Sequence, residues 1–242
     1  MPVGIIINSL SIFIGGVLGG LLGHLLTEEF KKQITLIFGV CSMAMGIPSI
    51  SQMANMPAVI LAIILGTSVG LAFHFNQKIN TTAEYLQKPI ARFPQKDLTL
   101  SQDEFLSTLV TIIVLFCASG TGIFGSLTEG MTGDSTILIA KSILDLFTAA
   151  IFACNIGYVV ALIAIPQFMI FFFLFLISTV VFPLTTPSMI LDFKACGGFL
   201  MLATGFRMIN VKMFPTADMI PAMFLAMPIS WLWTTWIVPL LS

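Results

Sequence analysis

The chain contains a series of apolar runs, each about as long as a helix that crosses a bilayer. A helix spanning a hydrocarbon core of about 30 Å needs about 20 apolar residues. Eight runs approach this length, and they lie near residues 4–25, 31–50, 56–75, 104–125, 135–158, 162–182, 194–210 and 219–240. Because the runs are continuous rather than alternating, they predict helices and not strands. The fold class that follows is an all-α, polytopic transmembrane helix bundle with about eight spans.

The charge content supports this class. Only 9% of the 242 residues are charged and 57% are hydrophobic, whereas soluble domains carry about 25% charged residues. The whole chain, 1–242, is therefore predicted to be one integral membrane domain whose main partner is the lipid bilayer. No basic stripe indicates nucleic acid as a partner.

The loop charges predict an orientation. With eight spans, eight of the ten cations fall in loops on one side, namely Lys31, Lys32, Lys78, Lys88, Arg92, Lys96, Arg207 and Lys212. Only Lys194 falls on the opposite side. Basic loops remain in the cytoplasm, so both termini are predicted to be extracytoplasmic, in a bacterial inner membrane. The segment 76–103 is predicted to be a cytoplasmic linker. The alternative, indicated by Ile79, Leu86 and Ile90, is a short amphipathic helix lying on the membrane.

Two opposite charges stand inside an apolar run. Lys141 and Asp145 are four residues apart, so on a helix they face the same way and can pair. Asp145 lies about 16 Å along the helix from Asp134, and Lys141 is placed to extend outward toward the surface. A structural ion pair is one interpretation; a proton or cation relay is the other, and it is favoured for intramembrane acids. Asn155, about 80° away around the helix, is a weaker candidate.

A glycine-rich segment precedes this helix. Its glycines between Gly120 and Gly133 are too many for an ordinary helix interior. The segment is predicted to be either an unwound stretch at membrane depth or an external loop. In the first case its backbone and side chains become candidates for a solute or ion pathway, namely Ser119, Thr121, Glu129 and Asp134.

A second irregular segment, Phe182 to Ser188, has prolines at Pro183 and Pro187 around Thr185 and Thr186. Proline removes helical hydrogen bonds, so regular helix is excluded here. The two threonines are further pathway candidates, and a turn at the membrane surface is the alternative.

A weak internal repeat is also present. Gly39, Ala44 and Gly46 match Gly198, Ala203 and Gly205 at identical spacing. After a five-residue insertion, a second set matches in the same way, Pro57, Ala58, Leu61 and Ala62 with Pro221, Ala222, Leu225 and Ala226. Five spans separate the copies, which predicts an inverted repeat of helices 1–3 and 6–8, as in many secondary transporters.

Other site classes receive no support from the sequence. The four cysteines, Cys41, Cys117, Cys154 and Cys196, form no C-x-x-C motif and are interpreted as small buried hydrophobic residues. No metal site or cofactor is expected. No nucleophile–base set or nucleotide-binding motif occurs, so the chain is not expected to be an enzyme.

Several longer motifs resemble a known family. They are Phe116–Gly125, Glu129–Asp134, Ile139–Ser142, Pro183–Met189 and Lys212–Pro215. Together they are similar to the YqgA/YdfK-like bacterial membrane proteins. The resemblance covers nearly the whole chain and implies a multi-pass inner-membrane protein of unknown function, with no site residues to carry over.

Two functions therefore remain at the sequence level. The first is a transporter or channel for a small solute or ion. The second is a non-transport membrane protein acting as a scaffold, sensor or partner subunit. The glycines of the first helix, which include Gly15, Gly16, Gly19 and Gly20, form a smooth face that suits helix packing. That face makes a homo-oligomer one of the expected partners.

Overall fold

The computed structural model describes residues 1–22, 26–91 and 102–241, and this part of the chain is helical without strands. The first six helices are α1 (Val3–Leu22), α2 (Glu28–Ser51), α3 (Met56–Ala72), α4 (Phe75–Ile90), α5 (Gln102–Cys117) and α6 (Gly120–Thr132). The others are α7 (Thr136–Ile156), α8 (Val159–Leu162), α9 (Ala164–Val181), α10 (Pro187–Met208), α11 (Ile220–Leu232) and α12 (Val238–Leu241). A 3₁₀ turn at Phe182–Leu184 follows α9, and a π-helical turn at Trp233–Ile237 follows α11.

Seven helices or continuous helix pairs in the described residues are long and apolar enough to span a membrane. The count becomes eight when α3 and α4, which are bent by 58° relative to each other, are counted together as one broken span. The predicted bundle is confirmed at this level, with seven to eight spans.

Burial has the reverse pattern to that of a soluble protein. In α1 the polar Asn8 is fully buried, while Leu10 and Phe13 are about half exposed. Polar groups in a bilayer are costly unless they face protein, and apolar side chains gain nothing by avoiding lipid. This pattern is what a lipid-facing surface requires.

The chain divides into two compact units, each made of two chain segments. Unit 1 comprises Met1–Thr35 and Gln77–Ser178, and unit 2 comprises Leu36–Asn76 and Thr179–Ser242. In unit 1, α1 packs along α7, and a buried apolar cluster includes side chains of α1, α4, α5, α7 and α9. In unit 2, α3 and α10 pack against α11. The single integral domain inferred from sequence stays a prediction.

The glycines of α1 allow this helix to pack closely against α7 in unit 1. A Cβ atom placed on Gly15 would lie 2.2 Å from the carbonyl oxygen of Leu146, and one on Gly19 would lie 2.1 Å from that of Ala150. Only glycine permits backbones to approach so closely. The smooth face predicted for this helix is therefore a packing surface, and it is occupied within the chain.

The glycine-rich segment is neither unwound nor an external loop, so both predicted alternatives are wrong. Residues Gly120–Thr132 form α6, and almost all of this helix is buried. Gly122 lies against the ring of Phe171, where a Cβ would approach Cζ to 2.1 Å. Glycine costs about 1 kcal/mol in a helix interior, and tertiary packing offsets that cost here. The helix break is confirmed, since Ser119 caps α6.

The segment predicted to be a linker, 76–103, is helical over much of its described part. It contains most of α4, whose buried residues are Ala83, Gln87 and Ile90. Their spacing places them on one face of a helix, and Ala83 and Ile90 belong to the unit 1 cluster that includes Phe105. An amphipathic helix is therefore present, but its apolar face packs on protein and not on the membrane. The cytoplasmic location of the segment stays a prediction. Arg92 and Lys96 lie outside the described residues.

The segment from Pro183 to Thr186 is irregular, as predicted. After the 3₁₀ turn, Thr185 and Thr186 are extended, and α10 begins at Pro187. The Thr186 hydroxyl accepts a hydrogen bond from the Met189 N–H, so this threonine is the N-cap of α10. Proline at the first helical position is favoured because its missing N–H would have no partner there.

Candidate functional site

The predicted Lys141–Asp145 pair exists, and it is buried inside unit 1. The Lys141 ammonium donates a hydrogen bond to Oδ2 of Asp145. The side chains are 5% and 11% exposed, respectively. Lys141 does not extend toward the surface, so that prediction is wrong. The reason is local: Asp145 lies one turn away on the same helix face, and aromatic rings surround the ammonium.

Two phenylalanines flank the lysine. The Lys141 Nζ lies 5.9 Å from the ring centroid of Phe116 on α5 and 6.0 Å from that of Phe171 on α9. Both rings are fully buried. A cation near ring faces is attracted by their quadrupoles, and more strongly when water is excluded. The lysine charge is therefore stabilised by one carboxylate and two rings.

The carboxylate is also the end of a chain of amide hydrogen bonds. Asn8 Nδ2 donates to Asp145 Oδ2 at 2.8 Å, and Gln167 Nε2 donates to Asn8 Oδ1 at 2.7 Å. Ser9 Oγ donates in turn to Gln167 Oε1 at 2.6 Å. Each group thus donates toward the negative charge, an order that polarises and strengthens the chain. We call Ser9, Gln167, Asn8, Asp145 and Lys141 the buried polar chain.

The buried polar chain joins three helices that lie far apart in the sequence. Asn8 and Ser9 come from α1, Lys141 and Asp145 from α7, and Gln167 from α9. The sequence pattern predicts only the α7 members as pathway candidates. Isolated polar residues in apolar runs, such as Asn8 and Gln167, are expected to form hydrogen bonds between helices, and the structure confirms this for both. Ser9 could not be predicted, because a lone serine in an apolar run has no distinguishing pattern.

One oxygen of Asp145 remains without a hydrogen bond. In the described part of the chain, both donors converge on Oδ2, and Oδ1 accepts from neither. An ionised carboxylate has capacity for several donors. Oδ1 is therefore the open acceptor of the site, on a side chain that keeps part of its exposure.

Glu129 is buried near the start of α1. Its Oε1 accepts from the Gly4 N–H at 2.7 Å, and Oε2 accepts from the Ile5 N–H at 3.3 Å. The first N–H groups of a helix lack intrahelical partners, and its dipole favours negative charge there. Glu129 thus has a structural explanation that Asp145 lacks.

The remaining candidates of unit 1 lie apart from the buried polar chain. Ser119 and Asp134 accept hydrogen bonds from the N–H groups of Gly122 and Thr136, at the starts of α6 and α7. Thr121 is buried on α6. Asn155 is exposed and accepts from Lys31 Nζ at 3.5 Å. None of the four has a hydrogen bond to Asp145 in the part of the chain that the structure describes.

Unit 2 contains a buried acid that sequence reasoning missed. Asp192 on α10 is fully buried. Its Oδ1 accepts from the N–H groups of Ala54 and Asn55, just before α3, and its Oδ2 accepts from Asn55 Nδ2 and Ser230 Oγ. The predicted seventh span began at 194, so Asp192 was assigned to a loop. Thr185 and Thr186 belong to this unit as well.

Comparison with known proteins identifies relatives but no activity. A family described as "Protein of unknown function (DUF554)" matches residues 3–231. The chain is 47% identical over 236 residues to the uncharacterized protein YqgA of Escherichia coli K12, covering 98% of this chain and 99% of that protein. It is 26% identical over 222 residues to the uncharacterized membrane protein YdfK of Bacillus subtilis 168, covering 92% and 93%. No solved structure matches the chain.

Proposed function

We propose a function from the geometry of the site, because the chain belongs to the DUF554 family, which is described as of unknown function. The protein is a transporter or channel for a small solute or ion in the bacterial inner membrane. Asp145 and Lys141 lie on the transport pathway. Both termini face away from the cytoplasm, an orientation that the basic loops support.

The observation that carries this proposal is the difference between Asp145 and the other buried acids. Glu129, Asp192 and Asp218 each accept hydrogen bonds from backbone N–H groups at or near a helix start. Within the described residues, Asp145 alone of these four is paired with a lysine and lies in the middle of a spanning helix. Its burial there is costly, and no helix end needs it.

The pair itself is poorly explained by stability. Replacing a buried ion pair with apolar side chains of similar volume is often neutral or stabilising. Such a pair in a membrane span is therefore retained for a reason other than folding. An exchange of partners, in which a proton or a small charged solute replaces one member of the pair, is a reason that transport supplies.

Flux measurements in proteoliposomes test the proposal. Suitable probes are H⁺ detected by a pH-sensitive dye, and Na⁺, K⁺, phosphate and amino acids detected as radioisotopes. We expect one probe to cross faster in the presence of the native protein. The double variant Lys141→Met with Asp145→Leu should fold yet lose that flux.

A matched control is available in the same unit. Lys31 and Glu28 also form an ion pair, at 2.6 Å, but Glu28 is 83% exposed at the start of α2. The double variant Lys31→Gln with Glu28→Gln should keep full flux. Full flux in the well-folded Lys141→Met/Asp145→Leu variant would remove the buried pair from the mechanism.

The alternative function, a scaffold, sensor or partner subunit, has lost one argument. The glycine face of α1 was its main support, and α7 and α8 cover that face inside the chain: Gly16 approaches the backbone of Ala161, and Gly19 that of Ala150. Absence of flux for the whole probe panel, with correctly folded protein, would favour this alternative.

A further inference from the structure

We infer that Asn8 and Gln167 occupy equivalent positions of an internal inverted duplication, and that this amide pair positions the Asp145 carboxylate at the local two-fold axis of α1 and α9. The consequence for transport depends on the proposed function. The symmetry and the positioning role depend only on contacts within the described residues, and they are tested without a flux assay.

The helix boundaries support the duplication. The first residues of α2 and α10, Glu28 and Pro187, are 159 positions apart. Gly39 and Gly198, matched earlier on sequence, have the same offset. Asn8 and Gln167 have it too. One offset thus relates both helix pairs, although few residue types are shared between α1 and α9.

The buried faces of α1 and α9 agree with this register. Of the eight buried residues of α1, five have a buried residue 159 positions later: Gly4, Ile5, Asn8, Ile12 and Gly19 correspond to Ile163, Ala164, Gln167, Phe171 and Ser178. The other three, Ser9, Gly15 and Gly16, correspond to Phe168, Leu174 and Phe175, which are partly exposed. Two helices with one buried face agree in phase about once in 3.6 registers by chance. The shared face is therefore supporting evidence, and the contacts carry the argument.

The buried clusters that link α1 and α9 agree with an axis at one point. Ile5 belongs to a buried cluster with Phe171, and Ile12 belongs to another with Ala164. The offset relates Ile5 to Ala164 and Ile12 to Phe171, so it exchanges these two memberships. At the centre, Gln167 Nε2 donates to its own equivalent, Asn8. Two equivalent residues that touch each other must lie beside the two-fold axis that relates them.

Unit 2, considered by itself, has the same kind of symmetry. A Cβ on Gly46 would lie 2.6 Å from the Gly198 oxygen, and one on Gly205 would lie 2.6 Å from the Gly39 oxygen. The offset exchanges these two contacts. It also exchanges the contact of Gly39 with Ile209 and that of Gly198 with Ile50. The helices α2 and α10 therefore pack antiparallel in a self-complementary way.

The symmetry explains why the amide pair is suited to hold a site. In inverted-repeat transporters the two repeats exchange conformations between the outward-facing and inward-facing states, around a site near the midplane. When the two repeats exchange conformations, two equivalent residues that contact each other only exchange roles. Their contact therefore persists in both states. Asn8 donates to Asp145 from this position. Asn8 is therefore a positioning residue, and Gln167 acts through Asn8.

Labelling with dicyclohexylcarbodiimide tests the positioning role, since this reagent modifies protonated carboxyl groups within membranes. Loss of a donor to the charged carboxylate favours the protonated form. At a fixed acidic pH, Asn8→Leu should therefore raise the labelling rate of Asp145 several-fold, as measured by mass spectrometry. Asn8→Gln should keep the native rate. Ser178→Ala should also leave it unchanged, because the Ser178 hydroxyl donates to the Phe175 carbonyl within α9.

The order of the hydrogen bonds in the buried polar chain gives a second test of the positioning role. Gln167→Leu should raise labelling less than Asn8→Leu, and the Asn8→Leu/Gln167→Leu double variant should not exceed Asn8→Leu alone. Additive effects would show that Gln167 does not act through Asn8. Equal labelling of Asp145 in the native protein and Asn8→Leu, or no labelling of Asp145 in either, would overturn the positioning role. If Asn8→Leu fails to fold, Asn8→Ser is the replacement, because serine is too short to reach Asp145.

Cross-linking tests the symmetry. In a variant without the four native cysteines, Asn8→Cys with Gln167→Cys should be linked by a short bifunctional methanethiosulfonate. The control is Ile6→Cys with Ile165→Cys, which have the same 159-residue offset but are 39% and 62% exposed on the opposite faces. Efficient linking of the first pair only is expected. Linking of the control pair, or of neither pair, would contradict an axis at Asn8 and Gln167.

Discussion

At the level of single residues, the buried acids separate into two groups by the partner that each one has. Glu129 and Asp192 accept N–H groups at helix starts, where the backbone lacks other acceptors. Asp145 accepts from a lysine and an amide in a helix interior. Burial alone does not distinguish these acids, but the source of their hydrogen bonds does.

Asp145→Asn should lower stability because it leaves the Lys141 charge buried and unpaired. We expect a loss of about 3–5 kcal/mol, whereas Lys141→Met with Asp145→Leu should be within about 1 kcal/mol of the native protein. Unfolding in a mild detergent, followed by tryptophan fluorescence, measures both. An Asp145→Asn variant with the stability of the native protein would show that another group stabilises the Lys141 charge.

Glu129→Gln tests the structural role assigned to Glu129. Glutamine retains one acceptor oxygen for Gly4 or Ile5, but its NH₂ group opposes the other N–H. The expected loss is about 1–3 kcal/mol, with flux unchanged. Asp134→Asn is the control, since asparagine caps a helix as well as aspartate does. A Glu129→Gln variant that is stable but has lost flux would place Glu129 on the pathway.

At the level of elements, the glycines of this chain permit close helix packing, whereas composition alone indicates that they interrupt helices. In α6 and along α1, glycines stand in regular helix where neighbouring atoms leave no room for a Cβ. Propensity measured in water disfavours such helices. Close packing reverses this preference. The segment up to Gly133, which its glycine content predicts to be irregular, is therefore helical from Gly120 to Thr132.

Gly19→Ala should be strongly destabilising, because the new Cβ would lie 2.1 Å from the Ala150 backbone oxygen. Helix propensity favours alanine by about 1 kcal/mol, yet overpacking against backbone costs about 1–3 kcal/mol or more. Leu18→Ala, on the exposed side of the same helix, is the control. Thermal unfolding in detergent compares the two, and a stabilised Gly19→Ala would mean that α1 and α7 are further apart than described.

At the level of the whole molecule, the loop charges predict the orientation in the membrane. In a variant without native cysteines, Thr132→Cys, at the exposed C-terminal end of α6, should react with an impermeant maleimide added to spheroplasts. Lys88→Cys should react only after lysis, because basic segments stay in the cytoplasm. A reporter fused to the C-terminus should be extracytoplasmic. The reverse pattern of labelling would show an inverted orientation.

The sequence by itself determined the membrane class, most span positions, the break before α6 and the pairing of Lys141 with Asp145. These features depend on composition, proline and spacing along one helix, which are local quantities. The helical state of Phe75–Ile90 was present in the pattern of Ile79, Leu86 and Ile90 as an alternative, and packing against Phe105 selected it.

Only the tertiary structure decided what surrounds the pair. Asn8, Ser9 and Gln167 reach Asp145 through contacts between helices far apart in the chain, and Asp192 reaches α3 in the same way. A hydrogen bond between distant segments leaves no periodic pattern in either segment, since each residue there resembles any other polar residue in an apolar run. The two compact units, each built from two separated segments, escaped prediction for the same reason: long-range packing, and not local pattern, determines which helices belong together.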